Sequence, residues 1–286
     1  MALDPAASYP PATWRLLRSP LADGATNMAI DEAILAAVAE GSGPPTLRLF
    51  GWSPPCLSLG YAQPAAEVDA ERLRLLGYGL VRRPTGGRAI LHTDELTYSV
   101  IAPMDEPRVR GGVVESYQQL SAGLLRGLAL LGLSVRADKQ YDTAEPGQAK
   151  GPVCFEVPSN YEITAGNGAR PRKLLGSAQV RKRGVVLQHG ALPLTGDIGR
   201  ICDVLAFDSE AERGQARQRV RERATTLAEV AGRAVSWLVA AEALAHGFTE
   251  ALNLSLNPAP LTAHELELAE RLRAEKYGTK GWNGRV

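Results

Sequence analysis

Cys154 is the cysteine whose surroundings could make it reactive. It lies in KGPVCFEVPSNYEI, residues 150–163, a stretch rich in glycine and proline in which Lys150 precedes it by four positions. A buried cysteine ordinarily acts as a small apolar residue, whereas a loop cysteine near basic groups can be a thiolate nucleophile. This stretch alone leaves both interpretations open.

The other two cysteines stand in apolar surroundings. Cys56 lies in WSPPCLSLG and Cys202 in ICDVLAF, and neither has a lysine beside it in a loop. We therefore predict that both pack in the core. An odd number of cysteines without a CxxC pair indicates neither a disulfide framework nor a structural zinc site.

The stretch RRPTGGRAILH, residues 82–92, could hold a phosphate or an acyl carbonyl. Gly86 and Gly87 allow close approach of the backbone and expose its N–H groups, and the flanking arginines add positive charge. The same pattern also fits a glycine hairpin turn with Arg83 and Arg88 on the surface. His92 alone is more typical of a packing or hydrogen-bonding role than of catalysis.

The stretch RKLLGSAQ, residues 172–179, places a lysine at the start of an apolar strand. Lys173 is followed by Gly176, Ser177 and Ala178, which are small enough for a ligand to lie against the backbone. A lysine in this position can stabilise an oxyanion or a phosphate, or lower the pKa of a nearby thiol. The alternative is an edge-strand lysine that faces water.

The composition excludes several classes of function. The chain has 32 basic and 31 acidic residues, so its net charge of +1 creates no general attraction to nucleic acid or to an anionic membrane. The arginine-rich stretch at residues 213–223 is typical of a solvated helix face. No segment reads as a signal peptide or a membrane span, which favours a cytoplasmic protein.

The elements that must position these residues are helices and strands in mixed order. TNMAIDEAILAAVAEG, residues 26–41, predicts a helix in which Asp31 and Glu32 are first-turn acids that compensate the helix dipole. TLRLFGW and CLSLGYA predict a strand pair, and KLLGSAQVRKRGVVLQHGALPL predicts a hairpin. Because the chain lacks strict βαβ alternation, we predict the α+β class.

Five ordered stretches resemble one known superfamily. They are NMAIDEAIL, LRLFGWSPPCLSLGYAQ, RRPTGGRAILH, KLLGSAQVRKRGVVLQHGALPL and KYGTKGWN, and together they cover roughly residues 14–282. In this order they resemble the lipoate–protein ligases and octanoyltransferases. The resemblance implies a mixed β-sheet flanked by helices, as in biotin and lipoate protein ligases. We expect a catalytic domain at residues 1–255, and a C-terminal linker and helix at 256–286 packed on it.

Within the superfamily, VCFEVPSNYEI is similar to the Cys-Phe loop of the octanoyl-[acyl-carrier-protein]:protein N-octanoyltransferases of Gram-positive-type lipoate assembly. This similarity implies that Cys154 is the nucleophile and that Lys173 favours its thiolate, with Lys150 a weaker candidate for the same help. The donor would be octanoyl acyl carrier protein, and the acceptor a lysine of a lipoyl domain or of the glycine-cleavage H protein. No cofactor is implied.

The resemblance also implies the residues that contact the substrate. The acyl pocket would be lined by Arg83, Gly86, Gly87, His92, Gly176, Ser177 and Ala178. A basic rim could steer docking of the acidic carrier proteins; its members would be Arg82, Arg83, Arg181, Lys182 and Arg183.

Three other functions fit parts of the pattern. An ATP-dependent lipoate ligase would use the Gly-Gly loop and the lysine on an acyl-adenylate. An amidotransferase that moves lipoyl or octanoyl groups between lipoyl domains would also use a cysteine. A non-catalytic paralogue would only bind the carrier protein.

Overall fold

A computed structural model describes residues 9–138, 162–166 and 171–285 of the protein. The strands of these ranges are β1 (Ala12–Arg18), β2 (Thr46–Phe50), β3 (Cys56–Leu59), β4 (Gly79–Arg82), β5 (Ile90–His92), β6 (Glu95–Pro103), β7 (Val135–Asp138), β8 (Glu162–Ala165), β9 (Arg172–Lys182), β10 (Val185–Pro193) and β11 (Leu254–Pro258). The α-helices are α1 (Gly24–Ala39), α2 (Ala70–Leu75), α3 (Val113–Leu130), α4 (Glu210–Arg223), α5 (Leu227–Ala231), α6 (Trp237–Leu252), α7 (Ala263–Leu272) and α8 (Lys280–Asn283). Short 3₁₀ turns lie at Ala65–Glu67 and Ile198–Val204, and a π-helical turn lies at Arg273–Tyr277.

Within the described ranges, eight strands form the main sheet, in the order β11-β1-β2-β6-β10-β9-β8-β7. β1 runs parallel to both β11 and β2, and the remaining neighbours are antiparallel. A separate three-stranded sheet has the order β4-β3-β5. The predicted mixed sheet flanked by helices is therefore confirmed. The predicted pairing of TLRLFGW with CLSLGYA is wrong, because β2 and β3 belong to different sheets.

The predicted hairpin is formed by β9 and β10. Lys182 pairs with Val185, and the two turn residues Arg183 and Gly184 have φ values of 54° and 75°. Two central residues with positive φ match the right-handed twist of the strands. Every residue of β10 is buried. The strand lies at the centre of the main sheet, with β9 as its neighbour.

Helix α1 begins earlier than predicted. The Asp23 carboxylate accepts a hydrogen bond of 2.7 Å from the Thr26 N–H and caps a helix that starts at Gly24. Asp31 and Glu32 therefore fall beyond the first turn, and both are buried. The prediction that they compensate the helix dipole is wrong, because Asp23 holds the capping position.

The C-terminal part of the chain packs on the rest of the fold. Strand β11 pairs in parallel with β1, and α7 packs on α1. Glu265 of α7 forms a buried ion pair of 2.6 Å with Arg15 of β1. The domain boundary at residue 255 remains a prediction. Within the described ranges, no helix combines the length and the apolar character that a membrane crossing requires.

Candidate active site

A cavity of about 230 Å³ lies between the small sheet and the β9–β10 hairpin. Its walls include the apolar side chains of Met28, Trp52, Ile90 and Ala191. All seven residues predicted to bind the substrate line it, namely Arg83, Gly86, Gly87, His92, Gly176, Ser177 and Ala178. The structure thus brings two sequence motifs together, although their roles toward a substrate remain a prediction.

Arg83 fixes the shape of the Gly-Gly loop from inside. Its guanidinium donates to the carbonyl oxygens of Gly86 and Arg88, at 2.9 and 2.7 Å, and the residue is only 3% exposed. Gly87 has a φ of 93°, which favours glycine, and a Cβ added at Gly60 would collide with the Gly87 carbonyl oxygen. A turn with Arg83 on the surface is therefore wrong, and the loop is held against the small sheet.

His92 is held at the cavity wall by three neighbours. Its ring stacks on Trp52, with centroids 3.9 Å apart and planes 9° from parallel. Its Nε2 lies 2.7 Å from Ser58 Oγ and its Nδ1 lies 2.6 Å from Glu95 Oε1. The Arg83 guanidinium also donates to Ser58 Oγ at 3.1 Å, so Ser58 joins His92 to the residue that shapes the Gly-Gly loop.

His189 of β10 is a cavity residue that the sequence analysis missed. Its Nε2 lies 2.7 Å from Oγ1 of Thr85, which precedes Gly86, and its Nδ1 lies 3.6 Å from Asp31 Oδ2. Burial lowers the pKa of His189, although the Asp31 carboxylate opposes this shift. The imidazole is therefore held neutral and fixes one side of the Gly-Gly loop. Its sequence signal is the polar pair Gln188-His189 before glycine in the otherwise apolar LQHGALPL.

Asp31, the carboxylate beside His189, is itself held by two hydrogen-bond donors. Arg48 donates to Asp31 Oδ1 at 2.7 Å, and Ser99 donates to the same oxygen at 2.9 Å. Burial opposes ionisation of this carboxyl, but Arg48 and His189 together hold its pKa below the ordinary value. A fully buried carboxylate is thus kept charged by a fully buried guanidinium.

Lys173 lies at the cavity end of β9 and is only 4% exposed. Its Nζ donates to Glu162 Oε1 at 2.6 Å. A Cβ added at Gly176 would lie 2.6 Å from Lys173 Cε and 3.0 Å from its Nζ, so the side chain folds over Gly176. The alternative of an edge-strand lysine facing water is wrong. Glu162, on the neighbouring strand β8, is a second residue that the sequence analysis missed.

Ser177 takes part in a polar row across the sheet. Its Oγ lies 2.7 Å from the Tyr98 hydroxyl, which also accepts a hydrogen bond of 2.9 Å from Gln188 Nε2. Burial raises the pKa of Tyr98 to about 12, so the phenol stays neutral. Gly190 fits beside this row only because it has no Cβ, which would lie 2.6 Å from both Ser177 Oγ and Tyr98 Cε1.

The structure describes two of the three cysteines. Cys56 and Cys202 are buried free thiols, which confirms the prediction that they pack in the core. Burial also raises the pKa of the Cys56 thiol, so it remains protonated. Cys154 and Lys150 lie outside the described residues, and the predicted pair of Cys154 with Lys173 remains a prediction.

The predicted basic rim is only partly at the surface. Arg82 and Arg83 are buried, and Arg82 donates to carbonyl oxygens that include Gly60, at 2.8 Å, and Arg285, at 2.6 Å. Their place in the rim is therefore wrong, because backbone carbonyls rather than water solvate them. The strand end and turn at residues 181–183 are partly or fully exposed.

No metal centre is evident in the described ranges. Within residues 9–138, 162–166 and 171–285, no three His, Cys, Asp or Glu side chains lie close enough together to hold a metal ion.

Comparison with known proteins gives consistent matches over most of the chain. A family model described as the lipoyl protein ligase A/B catalytic domain matches residues 23–249. The octanoyltransferase LipM of Kyrpidia tusciae is 48% identical, covering 96% of this chain and 99% of that protein. The octanoyltransferase LipM of Symbiobacterium thermophilum is 44% identical, covering 95% of this chain and 98% of that protein.

A solved structure supports the same assignment. The bipartite lipoate protein ligase of Thermoplasma acidophilum superposes with a TM-score of 0.80 at 26% sequence identity, covering 96% of this chain and 98% of that chain. Its fold agrees with the predicted ligase-like catalytic domain. The chain therefore belongs to the family of lipoyl protein ligase A/B catalytic domains, and the predicted superfamily is confirmed.

Proposed function

We propose that this protein is an octanoyltransferase of lipoate assembly. It takes an octanoyl group from acyl carrier protein onto the Cys154 thiol and passes it to a lysine of a lipoyl domain or of the glycine-cleavage H protein. The observation that carries the proposal is the apolar cavity lined by the Gly-Gly loop and by Gly176, over which the buried Lys173 side chain folds. The names of the two LipM relatives agree with the predicted octanoyl transfer.

The cavity suits a short unbranched acyl chain. Small residues of β9 let the chain lie along the strand, and Trp52 and Met28 provide apolar walls. Each methylene that leaves water contributes about 0.8 kcal/mol, so the depth of the cavity can select chain length.

The reaction exchanges one thioester for another and then forms an amide. The Cys154 thiolate attacks the octanoyl carbonyl, the bond to the carrier sulfur breaks, and that sulfur leaves as a thiol after taking up a proton. The ε-amine of the acceptor lysine then attacks the enzyme thioester, loses a proton and displaces the Cys154 sulfur. Lys173 supplies a positive charge that favours the thiolate and the oxyanion of each step. Glu162 positions that ammonium.

The ATP-dependent ligase remains the first alternative because the ligase of Thermoplasma acidophilum shares the fold. The identity to that ligase is 26%, against 48% to the LipM protein of Kyrpidia tusciae, and this difference favours the transferase. Pyrophosphate release from ATP in the presence of free lipoate would support the ligase.

Assays with two different donors test the other two alternatives, the amidotransferase and the non-catalytic paralogue. An amidotransferase would accept octanoylated H protein and would fail with octanoyl acyl carrier protein. A carrier-binding paralogue would bind the carrier protein without acquiring an acyl group.

Intact-mass spectrometry after incubation with octanoyl acyl carrier protein tests the proposal. We expect a hydroxylamine-sensitive octanoyl adduct on the wild-type protein and none on Cys154→Ala. Cys202→Ala is the matched control, because its thiol is buried in the core and its loss leaves the adduct in place. A folded wild-type protein that acquires no adduct would refute the transferase function.

We also place the protein in the cytoplasm. A nucleophilic thiol has to remain reduced, and the cytoplasm keeps thiols reduced.

A further inference from the structure

A second cleft adjoins the acyl cavity. It has a volume of about 870 Å³, within the range typical of ligand-binding clefts. Gly86 and Gly87 line both spaces, so the Gly-Gly loop forms their common border. A ligand that occupied both spaces would pass along this loop.

The cleft has an excess of positive charge. Among the residues that the structure describes, four cations line it, Arg88, Arg181, Lys182 and Lys276, together with one carboxylate, that of Glu32. The whole chain has a net charge of only +1, so the positive charge is concentrated here. Such a concentration favours an anionic group.

Ion pairs reduce that excess without removing it. Arg88 pairs with Glu67, which lies outside the cleft lining, at 3.3 Å. Glu32 accepts from Lys182 at 3.0 Å and also pairs with Lys276, so one carboxylate is shared by two ammonium groups. Arg181 donates to the backbone carbonyls of Val109 and Gly112, at 3.1 and 2.8 Å, and these acceptors carry no net charge. The Lys182 side chain is 49% exposed and can reach a ligand.

Strand β9 connects the two spaces in a fixed register. Ala178 lines the acyl cavity and Lys182 lines the cleft. They are four positions apart on the same face of the strand, which is about 13 Å at the usual rise of an extended strand. A ligand that contacts both must be apolar at one end, long and narrow between, and anionic at the other.

One wall of the cleft is aromatic and preorganised. Trp282 and Tyr61 line it and meet edge to face, with ring centroids 6.1 Å apart. The Trp282 indole donates to the Arg82 carbonyl oxygen at 2.8 Å, which fixes its orientation. The Arg285 guanidinium lies over both rings, 4.0 Å from the Tyr61 centroid and 3.6 Å from the Trp282 centroid, so this wall adds positive charge beside the cleft.

We propose that this cleft binds the 4′-phosphopantetheine arm of the octanoyl donor, with the phosphate against Lys182 and Lys276. The inference rests on the proposed function, because only a thioester donor brings such an arm. That arm joins the thioester sulfur to a phosphate through a narrow chain, which matches an apolar cavity followed by a cationic cleft. The phosphates of a nucleotide share this chemistry, and the experiment below separates the two sources.

The test compares two donors that differ only in the phosphate, octanoyl-pantetheine and octanoyl-4′-phosphopantetheine. We expect kcat/KM for thioester formation on the wild-type protein to be about tenfold higher with the phosphorylated donor, since a charge-assisted contact to phosphate is lost with the other. In Lys182→Gln this ratio falls severalfold, because kcat/KM for the phosphorylated donor decreases more than kcat/KM for octanoyl-pantetheine. Glu32 keeps Lys276 and Tyr277 as partners in this variant, so the local fold is retained.

Lys280→Gln is the matched control. Lys280 is an exposed lysine of the same C-terminal segment as Lys276, but it does not line the cleft. We expect its donor ratio to equal that of the wild-type protein. The wild-type ratio should also fall as salt is raised, because screening weakens an exposed ionic contact.

The outcomes separate this inference from the proposed function. Equal kcat/KM for the two donors on the wild-type protein would overturn the inference and leave octanoyl transfer standing. An absence of adduct with both donors and with octanoyl acyl carrier protein would overturn the function itself. Calorimetry adds a test without catalysis, in which free 4′-phosphopantetheine should bind more tightly than pantetheine. ATP binding that Lys182→Gln weakens, without any preference between the pantetheines, would assign the cleft to a nucleotide instead.

Discussion

The buried pair of Lys173 and Glu162 should be a major determinant of stability as well as of the site. Both side chains are 4% exposed, and the Nζ to Oε1 distance is 2.6 Å. Removing one partner of a buried pair leaves the other charge without compensation in a poorly solvated place. We expect Glu162→Gln to lower the free energy of unfolding by about 3 kcal/mol.

The adjacent residue of the same strand provides the control. Arg172 pairs with Glu229 at 2.8 Å, but these side chains are 41% and 47% exposed. Exposed pairs contribute less than about 1 kcal/mol because water and salt screen them. Arg172→Gln should therefore have a much smaller effect than Glu162→Gln, although the two ion pairs have nearly the same length.

Urea denaturation of the two single variants and of Glu162→Gln/Lys173→Met measures these effects. The double variant should be more stable than Glu162→Gln alone, because replacing both partners removes the uncompensated charge. Two results would refute the account of Lys173 as a charge held by Glu162. One is a free energy of unfolding for Glu162→Gln within about 1 kcal/mol of the wild-type value. The other is a double variant that is less stable than Glu162→Gln.

Two further predictions concern the cavity. Gly190→Ala should slow formation of the octanoyl adduct and lower the free energy of unfolding by about 1–3 kcal/mol, because the new Cβ overlaps Ser177 Oγ and Tyr98 Cε1. Intact-mass time courses measure the first effect and urea denaturation the second. Adduct formation at the wild-type rate would contradict the prediction. The lowered pKa of His189 means that the unfolded state binds more protons than the folded state, so stability should fall as the pH drops through about 6.5. Melting temperatures across this range should depend less on pH in His189→Gln, whereas the exposed His264→Gln should keep the wild-type dependence.

The features that could be predicted from the sequence are those fixed by neighbouring residues. The β9–β10 hairpin follows from two apolar runs around Arg183-Gly184. The cavity-lining motifs were recognised through the resemblance, because a Gly-Gly loop and a lysine strand far apart in the chain carry no signal of their proximity.

The missed features depend on contacts between distant positions. Asp31 was assigned a helix-dipole role because its buried partner Arg48 lies 17 residues away in the chain. Arg82 was placed on the surface because arginines are ordinarily exposed, whereas here carbonyl oxygens from residues 60–63 and 283–285 solvate its guanidinium. Glu162 gave no signal, because its role exists only once β8 pairs with β9.

The adjacent acids Asp31 and Glu32 connect α1 to both spaces of the site. Successive residues of a helix point about 100° apart, so the two carboxylates face different neighbours. Asp31 faces His189, which holds Thr85 and so one side of the Gly-Gly loop, whereas Glu32 holds Lys182 and Lys276 at the cleft. Because the two carboxylates have separate partners, loss of Asp31 should affect the loop and the acyl cavity, and loss of Glu32 should affect the cationic cleft.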